Sequence, residues 1–206
     1  EISCSLVGSE MCIRDSREMA EDYLKQVTVG EVEAHGGTIR LCPYDPRWPE
    51  QFRREAEKIR TALGDRALAV EHVGSTSVPG LCAKPILDIL LLTADAGREA
   101  DYVPALTAAG YALRIREPDW FQHRMLRGTD PAVNLHVFSD GCPEAARMLA
   151  FRDWLRTCRA DRDRYAAEKR RLAGRQWAYV QDYADAKTAV VAEILERIRQ
   201  AGLLPN

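Results

Sequence analysis

The chain has 206 residues, 46% of them apolar, and 29 basic against 31 acidic side chains leave a formal charge of −2. That length suits one domain with room for an appended subdomain, and the near-balance of charge excludes a strong overall field toward nucleic acid or a membrane surface. No apolar run approaches the roughly 20 residues of a membrane span, and six scattered cysteines without a CxxC or Cys/His cluster argue against a zinc site and suit a reducing cytoplasm.

Residues 1–36 read as a tail, disordered or non-native. The first sixteen have no initiator Met, no clear period and no basic segment ahead of an apolar one, so they are not a signal peptide. The string from Ser5 to Ser16 resembles translated sequencing-adapter read-through and is set aside from fold reasoning; Met19 is a candidate start. His35-Gly36-Gly37 reads as a turn, and 38–41 as a short strand. Pro43 and Pro46 make 42–47 a loop. A helix is expected from Trp48, with Pro49 in its first turn, Gly64 as its stop, and Trp48, Phe52, Ile59 and Leu63 along one face.

A strand over 68–73 runs into Gly74, and 86–92 is the most apolar strand, expected near the centre of a sheet. The spacing predicts a helix over 97–109 with Tyr102, Leu106 and Ala109 inward, although Pro104 interrupts it. Strands over 111–116, 121–127 and 133–138 follow, joined by loops rich in Pro, Gly and Asp that favour antiparallel pairing. From Glu144 to Gln200 the pattern is nearly all helical, the last helix carrying Tyr179, Tyr183, Ala186, Val190, Ile194 and Ile198. A strand-rich core over 37–140 with a helical extension over 141–206 packed on it gives an α+β architecture.

One run concentrates the chemistry: Gly74-Ser75-Thr76-Ser77 at a strand end, then Asp88 inside the next strand. Such a turn leaves backbone N–H groups and hydroxyls for an anion such as phosphate, though turns favour these residues in any case. A lone Asp in an apolar strand is costly to bury unless paired, hydrogen-bonded or bound to a metal. Alternation puts it on one face with Ile86 and Leu90. Glu71 is a candidate second metal carboxylate, or an edge-facing charge. Lys84 is either a phosphate contact or a solvated surface lysine. His123 and His136 fall in strands of the same sheet without zinc-like spacing, and read as hydrogen-bonded core histidines rather than metal ligands.

Tyr165 with Lys169, and Tyr183 with Lys187, are i,i+4 neighbours. Either the lysine stem lies along the tyrosine, or the pair reaches over a cleft to a phosphate or base. The arginines between 152 and 175 are interleaved with acids and read as a salt-bridged, solvated face. Without an aromatic-basic stripe, a nucleic-acid partner is not expected.

Together, Tyr44-Asp45-Pro46-Arg47-Trp48, Glu71-His72-Val73-Gly74-Ser75-Thr76-Ser77-Val78-Pro79-Gly80-Leu81, Ala83-Lys84-Pro85-Ile86-Leu87-Asp88-Ile89, Asn134-Leu135-His136-Val137-Phe138 and Phe151-Arg152-Asp153-Trp154-Leu155-Arg156 resemble the GrpB family, in order over roughly residues 38–200. The resemblance implies the nucleotidyltransferase superfamily: a mixed sheet of about five strands with flanking helices and a helical C-terminal half. It further implies a nucleoside triphosphate held at Gly74, Ser75, Thr76, Ser77 and Lys84, with Tyr165, Lys169, Tyr183 and Lys187 from the helical half. Mg²⁺ or Mn²⁺ would sit at Asp88, aided by Glu71 or His136, and an acceptor would take a nucleotidyl group.

A related domain behind dephospho-CoA kinase extends the ligand class to coenzyme-related molecules. The superfamily pattern places Asp-x-Asp or Asp-x-Glu after the Gly-Ser turn, but this chain has Leu90 at the second position. Two-metal chemistry would then need an acid from elsewhere. The alternative is a non-catalytic nucleotide- or coenzyme-binding module, or an interaction domain, on the same fold.

Overall fold

The computed structural model describes residues 23, 25–31, 37–177, 183 and 186–204. Most of the tail at 1–36, and Tyr179 of the last expected helix, lie outside the described residues. Helix α1, Trp48–Leu63, begins and ends as its residues dictate. Pro49 and Glu50 sit in the first turn, where a missing N–H is harmless and a carboxylate meets the positive end of the dipole. Gly64 ends it with φ 56°. Trp48, Ala56, Ile59 and Leu63 are buried along one stripe.

Strands β2 (Ala69–Val73), β3 (Leu87–Thr93), β4 (Ala112–Glu117), β5 (His123–Thr129) and β6 (Ala132–Ser139) form one mixed sheet in the order β2-β3-β6-β5-β4. β3 runs parallel to β6 and antiparallel to β2; β4-β5 and β5-β6 are antiparallel. β3 is interior, though β6 is the middle strand. Between β3 and β4 the expected helix over 97–109 is instead a 3-10 turn, Glu99–Asp101, and a short helix α2, Val103–Ala108. Pro104 lacks an N–H and fits only a helix's first turn, so the helix starts at Val103.

The two sheet faces are covered differently, which explains why β3 reads as continuously apolar. Leu87, Ile89 and Leu91 pack with Trp48, Ile59 and Leu63 of α1 and Leu106 of α2. Val73, Leu90 and Phe138 pack on the other side with the C-terminal helices α3 (Pro143–Thr157), α4 (Arg159–Ala173) and α5 (Thr188–Gln200), through Met148, Phe151, Tyr165 and Ile194.

The helical half is not one unbroken pattern. Cys158 is extended between α3 and α4. The corner is held by Trp154 Nε1 donating to Asp161 Oδ2 at 2.7 Å, and Asp161 pairs with Arg197 of α5 at 3.3 Å. The strand expected over 38–41 is the two-residue β1, Gly37–Thr38, paired antiparallel with β7, Gln176–Trp177, a strand within the segment expected to be helical. This is the α+β architecture of a mixed five-stranded sheet with flanking helices. Among the described residues no helix is long and apolar enough to cross a membrane.

Candidate functional site

At one end of the sheet, β2 finishes while β3 and β6 begin. Val73, Asp88 and Asn134 are register partners across β2, β3 and β6, and Arg127 of β5 continues the row. Two residues further along lie Glu71, Leu90, His136 and Met125. Alternation therefore puts Asp88, Glu71 and His136 on one face, the face that carries the C-terminal helices.

Asp88 is buried and accepts a hydrogen bond from Asn134 Nδ2 at 3.1 Å. His136 Nε2 lies 3.7 Å from Asp88 Oδ1. Glu71 shares the face but not the cluster: Arg152 Nη1 of α3 donates to its carboxylate at 2.8 Å and also to the His72 carbonyl. Leu90 sits between Glu71 and His136 in the register, fully buried in the apolar cluster beneath the helices.

The turn after β2 is built around Gly74, whose φ 67° and ψ −171° belong to a region that is essentially glycine's alone. Ser75–Ser77 then form one 3-10 turn with all three residues buried. Ser77 Oγ donates back to the Gly74 carbonyl at 2.6 Å. Thr76 Oγ1 lies 3.0 Å from His72 Nε2, and the His72 ring stacks on Phe52 at 4.8 Å. Burial lowers His72 to about 4. Arg156 Nε donates to the Ser77 carbonyl at 3.0 Å, anchoring the turn to α3.

Lysines from three places come near one another, and one of them reaches this turn. Lys169 of α4 donates to Ser75 Oγ at 2.6 Å and to the Cys82 carbonyl at 2.8 Å, with its ammonium 5.4 Å from the Tyr165 ring centre. Lys187, also fully buried, holds its ammonium 4.5 Å over the Tyr183 ring. Both Tyr-x-x-x-Lys pairs thus use the charged head against the ring, a cation–π contact, and not only the aliphatic stem. Burial and then the Lys187 charge bring Lys169 down to about 7. The same two causes bring Lys84 to about 8, against the pull of the Asp88 carboxylate. Lys84 is partly buried, unlike the solvated side chain a lone lysine usually is.

Two residues of this region carried no sign in the sequence that they belong together. His123 Nδ1 lies 2.7 Å from Glu117 Oε2, and His123 Nε2 lies 3.1 Å from His136 Nδ1. Glu117 also accepts from the Tyr23 hydroxyl. Glu117, His123, His136 and Asp88 thus form a buried polar line across β4, β5, β6 and β3. Trp120 and Phe138 wall it with ring contacts to His123 at 5.3 and 4.7 Å. Burial brings His123 down to about 4 despite the Glu117 carboxylate beside it. The sequence signal was two histidines on successive strands; their meeting depends on the β5-β6 register, which pairs Met125 with His136.

A family model described as "GrpB protein" matches residues 38–197. The chain belongs to the GrpB family. Its α+β architecture, a mixed five-stranded sheet with flanking helices, is the one that membership implies. The UPF0157 protein BH1888 of Halalkalibacterium halodurans is 58% identical over 183 residues, covering 89% of this chain and 94% of that protein. The crystal structure of GrpB from Enterococcus faecalis superposes with a TM-score of 0.68 at 31% identity, over 79% of this chain and 98% of the other. A dephospho-CoA kinase of Mycolicibacterium paratuberculosis is 32% identical over 176 residues, 72% of this chain but 43% of that protein.

Proposed function

We propose that this GrpB-family protein binds the phosphates of a nucleoside triphosphate or a coenzyme-related nucleotide. The site would lie at the seam between a core of residues 37–140 and a helical extension of 141–206. The observation that carries this reading is the bond of Lys169 to Ser75 beside Asp88, with Lys187 close enough to both Lys169 and Lys84 to act on their charge. The Lys187 charge lowers both Lys84 and Lys169, and a polyphosphate would offset that repulsion. The dephospho-CoA kinase relative makes a coenzyme A precursor one candidate ligand. The described cysteines are all free thiols, which suits action in a reducing cytoplasm.

The donors around Asp88, one carboxylate and one imidazole nitrogen, fit a divalent cation of the Mg²⁺ or Mn²⁺ kind whose shell phosphate oxygens would complete. Such an ion, when bound, supplies charge neutralisation to phosphate. In nucleotidyl transfer the chain's own part would be positioning. Ser75 and Lys169 would hold the phosphates, Lys84 and Lys187 would offset their charge, and the helices would exclude water. Calorimetric titration of the full chain with nucleoside triphosphates and coenzyme A precursors, each with Mg²⁺, tests the binding. An affinity in the micromolar range that Lys169→Met weakens at least tenfold supports it; no binding across both classes overturns it.

A second reading, binding without transfer, is favoured by Leu90. An apolar side chain occupies the place of the second acid, and Glu71 is engaged with Arg152. Pyrophosphate release above that of Asp88→Asn, with a pool of acceptors, would decide for transfer. Binding with no release would decide for the module.

A further inference from the structure

β2 is an edge strand of the sheet, and a cavity of about 460 Å³ lies beside it, lined by Tyr44, Phe52, His72, Ser77, Arg152 and Arg156. That size is within the range of small-molecule sites. The cavity shares the turn after β2 with the lysine seam but uses other parts of it. Ser75 Oγ accepts from Lys169, whereas Thr76 Oγ1 meets His72 and the Ser77 carbonyl accepts from Arg156. The open edge is a poor template for a peptide strand. Its Val70 and His72 carbonyls already accept from Arg60 at 3.2 Å and Arg152 at 3.1 Å. A small molecule is therefore the better occupant.

The lining sets what that molecule carries. With Arg53 included, three arginines face one carboxylate, Glu71. Arg53 pairs with Glu50, and Arg152 is engaged by Glu71, Asp153 and the His72 carbonyl. Arg156 is 38% exposed and donates Nε to the Ser77 carbonyl. Its Nη1 reaches Asp153 only at 3.4 Å, and its Nη2 makes no hydrogen bond among the described residues. Burial and then the Arg152 charge hold Arg156 below the usual guanidinium range, and a bound anion would oppose the second cause. A guanidinium fork matches two oxygens of a phosphate or carboxylate. Beside it, Phe52 stacks on the His72 ring at 4.8 Å, and Tyr44 adds a second aromatic face. Such faces suit a flat apolar body. We infer that this edge cavity is a second small-molecule site, which takes an oxyanion carried on a flat ring, with Arg156 binding the oxyanion and Phe52 and Tyr44 flanking the ring. It rests neither on the nucleotide reading of the seam nor on any metal.

The test is ligand-observed nuclear magnetic resonance titration of the full chain. Phenyl phosphate and benzoate are the probes, and benzamide is the uncharged control. At least one oxyanion should bind with a Kd of about 1 mM or tighter, and benzamide at least about tenfold more weakly. The tighter of the two probes tells phosphate from carboxylate. Arg156→Gln should weaken that probe at least tenfold, while Lys169→Met, at the seam, changes it by less than twofold. In the wild-type chain the Arg156 Nε–H signal should shift as the probe is added, a readout that needs no variant to fold. The inference is overturned if neither oxyanion binds, if benzamide binds as tightly, if the Arg156 signal stays still, or if Lys169→Met weakens the probe as much as Arg156→Gln. The seam is tested with triphosphates, so the two conclusions fail separately.

Discussion

Lys169 Nζ stands 2.6 Å from Ser75 Oγ, joining helix α4 to the turn that ends β2. A buried ammonium on a hydroxyl and a carbonyl can exchange those neutral partners for phosphate oxygens at little cost in geometry. Lys169→Met removes the charge and keeps most of the volume. Because an ion is costly to bury, the melting temperature should not fall. Triphosphate affinity should drop by at least tenfold, since a hydrogen bond to a charged group is worth about 1.5–3 kcal/mol. Paired calorimetry and thermal melts check both halves; unchanged affinity would remove Lys169 from the site.

The Lys169 ammonium also sets a pH dependence. Its folded pKa of about 7 lies below the ordinary 10.5. Across that window the unfolded chain holds a proton the folded chain has lost, so stability rises with pH between those values and is lowest below pH 7. Ligand affinity runs the other way, because phosphate favours the charged form. Triphosphate binding should weaken as pH climbs from about 7 through the Lys84 value of about 8, and binding at pH 8 should take up protons. Calorimetry in buffers of different ionisation enthalpy measures that uptake directly.

Gly74→Ala tests the turn. At φ 67° and ψ −171° a Cβ is strained, and the cost should be about 1–3 kcal/mol. Urea unfolding should show a lower midpoint with an unchanged slope, and phosphate-ligand affinity should fall as Ser75–Ser77 shift. A neutral result would mean that the turn relaxes without its glycine.

Glu71 and Arg152 separate a scaffold role from a metal role. Glu71 is 43% exposed in this pair and Arg152 only 11%, so Glu71→Gln should cost under about 1 kcal/mol and leave Mn²⁺ affinity within twofold. Arg152→Ala loses the His72 carbonyl as well and should cost about 1–3 kcal/mol. Loss of metal binding in Glu71→Gln would return that carboxylate to the ion.

Local chemistry made much of the fold legible. Pro49, Glu50 and Gly64 mark the ends of α1, and the apolar alternation marks the five main strands to within two residues at either end. The Gly74 turn and Asp88 were readable because glycine and a lone acid are each costly where they stand. What escaped depended on register. Glu117, beside Pro118, reads as the polar end of a strand, and only the pairing of β4 with β5 sets it opposite His123. Lys84 reads as a surface lysine because its burial comes from neighbours distant in the sequence. The extended residue Cys158 interrupts a pattern that favours helix on both sides, and no Gly or Pro announces it.

Because Lys84 and Ser75 come from one half of the chain while Lys169 and Lys187 come from the other, an occupant of the seam would act as a staple. Its binding energy would be added to whatever already holds the halves together. By mass action a ligand at 100 times its dissociation constant contributes about 2.7 kcal/mol to the folded state. The melting point of the intact chain is therefore itself a detector, and the metabolite that raises it most identifies the natural cargo without any assumption about turnover.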